Sequence, residues 1–184
     1  QELKDTDVEP YKIENIETGQ LDFIQTTTVS VNDSVTTITS GSTEAANISV
    51  DNPSNGVGAF DVRFAVADDD VATINNVSVL GSGEDGPLTD IEYTDNKSSV
   101  RVSAVLLDAE HTTNESTDIV EIELTGQGTG TTELQVTEVV ELTDFNADQY
   151  NTSVGASRIV EVSNPSEDDE SGSDEGSDRD ADDG

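Results

Sequence analysis

From Phe23 onward, apolar and polar residues alternate in short stretches broken by clusters of Gly, Asn, Asp and Ser. Alternation with a period of two is the mark of an extended chain with one face in a core and one in water. It is cleanest in three places. Phe60, Val62, Phe64 and Val66 fall on one side, with Asp61, Arg63 and Ala65 on the other. Val100, Val102, Ala104 and Leu106 repeat the pattern, and Val120, Ile122 and Leu124 do so opposite Glu121 and Glu123. The same reading predicts strands over 26–31, 35–39, 45–50, 57–66, 72–79, 90–93, 99–106, 119–124, 131–139 and 157–162. Helical periodicity is sustained nowhere. Each strand is apolar on one side only, so a second apolar face must cover it. The expected fold is therefore all-β, two antiparallel sheets packed as a β-sandwich or jelly roll.

The two ends differ from this middle. Residues 1–22 show neither periodicity and read as an N-terminal lead-in whose Ile13, Ile16 and Leu21 dock on the main domain. Residues 163–184 hold ten acids, one Arg and no apolar side chain larger than Ala181 or Pro165, a composition that cannot bury a core and predicts a disordered acidic tail or spacer. The sandwich is assigned to 23–162. Gln1 in place of Met suggests a processed start, with a signal peptide already removed, and the tail is compatible with a C-terminal anchor beyond it.

Charge changes the picture of partners. Across 184 residues, 41 Asp+Glu stand against 7 Lys+Arg, a formal net charge of −34. Such a surface repels phosphate backbones and anionic lipid headgroups, so neither nucleic acid nor direct membrane insertion is expected, and no apolar run is long enough for a spanning helix. Taking the tail's ten acids and one arginine from those totals leaves 31 and 6, a net of −25 on the folded part. That spread of acids fits a protein working in molar salt, where the Debye length shrinks to roughly 3 Å, and points to a halophilic archaeal source. Without Cys there is no disulfide, thiolate nucleophile or zinc–thiolate site, and the lone His111, in a polar stretch, has no second His to complete a metal site.

Several segments together resemble a known family. Thr27–Val31 reads TTVSV; SGSTEAANISVDN and NGVGAFDVRFAVADDDVATINNV follow; IVEIELTGQGTGTTELQVTEVVELTD has a strand, a Gly-rich turn and a Leu/Val strand; SRIVEVS closes the run. In order and turn placement these are similar to the cohesin-like modules, which share a sandwich superfamily with cellulose-binding modules. The resemblance covers roughly 27–162. It implies a flattened nine-strand jelly roll without catalysis, binding a dockerin or other surface protein through one sheet face, or serving in cell-surface adhesion. A carbohydrate-binding module and a structural subunit of a surface layer or filament are the alternatives.

Candidate chemistry is sparse. Six N-x-[S/T] sequons, at Asn32, Asn47, Asn76, Asn96, Asn114 and Asn151, are candidate glycosylation sites that favour an extracellular glycoprotein, whereas Asn52 is excluded by the proline after it. No cofactor is expected. Calcium has weak candidates in Asp144, Asn146 and Asp148, which begin like an EF-hand loop but lack its Gly and final Glu, and in Asp68 and Asp70. Paired carboxylates for glycoside hydrolysis need a cleft with aromatic platforms. With Phe60 and Phe64 assigned to the core, only single stacking residues such as Tyr93 and Tyr150 remain for a sugar. Ser82 lacks a nucleophile elbow. No enzyme is expected.

Overall fold

The computed structural model describes residues 26–32, 37–81, 86–107 and 116–165. Among these, all regular structure is extended. The strands are β1 (Thr26–Val31), β2 (Thr37–Thr39), β3 (Thr43–Asp51), β4 (Ala59–Val66), β5 (Ala72–Val79), β6 (Leu88–Tyr93), β7 (Ser99–Val105), β8 (Thr117–Gly126), β9 (Gly130–Thr143), β10 (Asn151–Val154) and β11 (Arg158–Ser163). The lead-in, most of the tail, His111, Asn114 and Ser82 lie outside the described residues.

The alternation decides which side of each strand is covered. Phe60, Val62, Phe64 and Val66 of β4 are buried, as are Val100, Val102 and Ala104 of β7. Two sheets result, a five-stranded one in the order β10-β1-β3-β8-β5 and a six-stranded one in the order β2-β11-β9-β4-β7-β6. Their inner faces meet in one core, where Val29, Ile48, Ile74 and Ile122 of the first sheet join Val62, Phe64, Val102 and Leu134 of the second. This is the expected all-β sandwich.

Eleven strand segments and a nine-strand jelly roll are the same topology counted differently. β1 and β2 lie in different sheets although few residues separate them, and so do β10 and β11. β1 pairs parallel with β10, and β2 parallel with β11. The first and last paths thus run side by side from one sheet to the other, and each counts once. Backbone bonds tie them at the crossing: Gly155 N donates to Val29 O at 2.8 Å and Val31 N to Ala156 O at 3.3 Å. Gly155 is required there, because an added Cβ would lie 2.7 Å from the side chains of Ser30 and Thr28. Every other named pairing is antiparallel.

Candidate functional site

The loop after β9 contains the acid-rich calcium candidate. Asp144 is 3% exposed, the one buried acid among the described residues. Its Oδ1 accepts the backbone N–H of Asn146 at 2.8 Å and of Asp148 at 2.9 Å; its Oδ2 accepts the side-chain amides of Asn55 at 3.1 Å and Asn146 at 3.3 Å. Burial pushes this carboxyl up, but the N–H donors of Asp148, Asn146 and Asn55 outweigh burial and hold it below its ordinary value. Tyr150 completes the tie, donating to Gly56 O at 2.8 Å and accepting Asn55 N–H at 3.2 Å. The carboxylate therefore faces N–H donors and fastens the loop to residues 55–58, while Asn146 and Asp148 are exposed.

Asp68 and Asp70 form a turn of a similar kind, with Asp70 N–H bonded to Asp68 Oδ1 at 3.1 Å. Among the described residues no three His, Cys, Asp or Glu side chains are grouped to hold a metal ion. The two tyrosines stand apart. Tyr150 is half-buried beside the β4 start, and Tyr93, 39% exposed, pairs with Val100 at the other end of the same sheet. Burial raises the Tyr93 phenol.

The outer faces of the sheets differ in kind. On the five-stranded sheet, outward positions include Thr28 and Ser30 of β1, Ala45, Asn47 and Ser49 of β3, Glu121 and Glu123 of β8, and Asn76 and Ser78 of β5. Among the described residues no outward side chain there is apolar beyond Ala45, and the exposed Val154 sits at the β10 edge in register with the inward Val29. Asp118 anchors one end, accepting the Asn47 amide at 2.8 Å, the Asn32 amide at 3.4 Å and the Ser49 hydroxyl.

The six-stranded sheet presents a mixed surface. Register places Leu88, Val105 and Ala59 in one outward row, Asp90, Ser103, Asp61 and Glu141 in the next, and Glu92, Arg101, Arg63 and Glu138 in a third. Leu88 is 65% and Val105 44% exposed. With Ala59, Thr89 and Ser103 they floor a shallow depression of about 370 Å³ whose polar rim is Asp61, Asp90 and Glu141. Val140, extruded at a break in the β4–β9 register, adds another exposed apolar side chain. Arg101 grips Asp61 with two nitrogens, Nε to Oδ1 at 2.9 Å, and lies 3.8 Å from Glu92; Arg63 pairs with Glu138 at 3.1 Å. The Arg101 guanidinium holds the Asp61 carboxyl below its ordinary value.

The alternation of β4 already put Asp61 and Arg63 on its outward side, but it pointed to none of the apolar residues Leu88, Val105, Ala59 and Val140 of this face. A signal existed in Val105, which follows Ser99, Arg101 and Ser103 at outward positions and so puts an apolar side chain where the pattern calls for a polar one. Leu88 escaped because the predicted strand began at 90.

No family model and no curated protein matches the chain. Solved structures do. A type I cohesin of ScaB from Pseudobacteroides cellulosolvens is 12% identical with a TM-score of 0.57, covering 76% of this chain and 94% of that one. A non-cellulosomal cohesin from the archaeon Archaeoglobus fulgidus is 14% identical with a TM-score of 0.57, covering 76% and 92%. The cohesin–dockerin complex Coh-OlpC-Doc435 from Clostridium thermocellum gives 14% identity and a TM-score of 0.58, covering 82% and 100%. At these identities the likeness concerns architecture, and the fold of this chain is cohesin-like.

Proposed function

We propose that this chain is a noncatalytic interaction module that docks a partner protein on the outer face of its six-stranded sheet. The observation that carries the reading is the segregation of exposed apolar side chains. Leu88, Val105 and Val140 lie on that face, while among the described residues the other outer face offers nothing apolar beyond Ala45, the exposed Val154 standing apart at the β10 edge in register with the inward Val29. Scattered exposed apolar residues are ordinary, but a cluster rimmed by polar groups marks a contact surface. Structures of cohesins with dockerins bound support a protein as the occupant. The acids Asp61, Asp90 and Glu141 around the depression favour a partner segment that places Lys or Arg beside an apolar side chain. The acid excess supports a setting in concentrated salt, and a cohesin-like fold supports a place outside the cell, on its surface.

Affinity capture from host cell-envelope extract at about 2 M salt, where surface charge is screened within a few ångströms, tests the reading. One protein retained in stoichiometric amount is the expected result. Retention of glycans alone, or only of further copies of this chain, contradicts it.

A further inference from the structure

The sequons are distributed unevenly. Strands β2, β11, β9, β4, β7 and β6 of the six-stranded sheet contain no asparagine at all, whereas Asn47 and Asn76 stand on the outer face of the five-stranded sheet and Asn151 on its β10 edge. Within that group the side chains are engaged to very different degrees. The Asn47 amide donates to Asp118 Oδ2 at 2.8 Å, and Ser49, the hydroxyl residue of the same sequon, is buried and bonded to the other oxygen of that carboxylate. Asn96 is held in the β6–β7 turn, its amide on Asp69 at 2.6 Å and its carbonyl accepting the Ser98 hydroxyl at 2.9 Å. Asn151 donates to Thr26 Oγ1 at 3.2 Å. Asn32 donates to Asp118 Oδ1 at 3.4 Å, and the rest of its sequon, like Asn114, lies outside the described residues.

Asn76 differs. It sits on β5, the edge strand of its sheet, next to a register break at Asn75, and both Asn76 and Ser78 are exposed. Pairing with Glu123 fixes it on the outward side, and its side chain makes no hydrogen bond among the described residues. Among the described residues no strand pairs with the outer margin of β5, which meets only single contacts: Ile74 N–H on Lys97 O at 2.9 Å, Lys97 Nζ on Asn75 O at 3.5 Å and the Tyr93 phenol at the Val77 backbone. An enzyme can therefore take the Asn76-Val77-Ser78 segment in extended form by displacing one tyrosine contact, without breaking the ladder to β8.

We propose that Asn76 is an N-glycosylation site of this protein, and that Asn47 is protected from the same modification by the Asp118 clamp. The reaction is group transfer from a sugar activated as a lipid-linked phosphate or pyrophosphate. The Asn76 amide nitrogen bonds to the anomeric carbon, the bond from that carbon to the phosphate oxygen breaks, the phosphate leaves with the electron pair, and the amide gives one proton to a base of the transferase. A glycan at Asn76 projects from the five-stranded face and leaves the six-stranded face uncovered, which separates the glycosylated side from the docking side. The modification itself is independent of the docking reading.

Peptide mapping by mass spectrometry, on protein purified from the cells that naturally make it, tests the proposal. The peptide containing Asn76 is expected to carry a sugar mass that disappears in Asn76→Gln and in Ser78→Ala, while the peptide containing Asn47 keeps its bare mass. Ser78→Ala leaves the asparagine in place, so loss in both variants assigns the sequon rather than a folding defect. A bare Asn76 peptide overturns the site, and a modified Asn47 overturns the protection.

Discussion

Asp144 shows how one side chain read as chemistry is spent on structure. Four N–H donors from the exposed residues Asn55, Asn146 and Asp148 converge on a carboxylate with almost no exposure, so truncation removes four hydrogen bonds to one charged group at once. Asp144→Ala is expected to cost about 1.5 to 3 kcal/mol in urea unfolding, the usual worth of hydrogen bonds to a charged group. The carboxyl is held below its ordinary value in the fold. Its contribution is therefore present above the unfolded carboxylate pKa and lost as pH falls through the lowered folded value. The stability gap between wild type and Asp144→Ala should be constant near neutrality and shrink below about pH 4; a gap independent of pH down to 2 would contradict this assignment. Gly58 belongs to the same knot, since a Cβ there would stand 2.2 Å from the Asp144 carbonyl oxygen. Gly58→Ala is expected to lower stability by about 1 to 3 kcal/mol, measured by the same unfolding, because backbone rather than a flexible side chain must yield.

The strands divide into those the sequence announces and those it hides. β4 has a regular covered side, and Phe64 at its centre is fully buried between the sheets. Phe64→Ala should cost about 3 to 5 kcal/mol in thermal or chemical unfolding. β9 is harder to read. Breaks in its register against β4 occur at two points, so Leu134, Val136, Val139 and Leu142 face inward at unequal spacing. The alternation stops making sense after Val139, which is why the expected strand ended there although β9 runs to Thr143. β8 has a similar break, which places Ile119 and Val120 in the core consecutively. β10, the sequence Asn-Thr-Ser-Val, has no apolar pattern at all and exists because β1 lies parallel beside it. The apolar row on the six-stranded sheet was less legible than the fold, because Leu88, Val105 and Ala59 adjoin one another only through pairing between strands. In Asp144-Phe-Asn-Ala-Asp148 the spacing begins like a calcium loop, and only the structure shows that the first carboxylate turns inward onto N–H donors.

Across the whole molecule, charge and faces determine behaviour together. The described strands carry acids on both outer faces, and the few cations at Arg63 and Arg101 already have carboxylate partners. Surface pairs of this kind add little stability in water, and the remaining self-repulsion weakens as salt screens it. The thermal midpoint is expected to rise between about 0.1 and 2 M KCl, measured by circular dichroism; an unchanged midpoint would remove the argument for a high-salt setting.

The distinction between the two faces is the central claim, and paired substitutions test it directly. Leu88→Asp with Val105→Asp alters the six-stranded face, and Thr26→Asp with Ala45→Asp alters the five-stranded one, all at exposed positions. Each pair is compared with wild type by the amount of captured protein partner retained at about 2 M salt, after circular dichroism has shown that both variants keep the fold. Retention is expected to fall at least about tenfold for the first pair, equivalent to about 1.4 kcal/mol, and to stay within about twofold for the second. Loss with the second pair and none with the first would contradict docking on the six-stranded sheet.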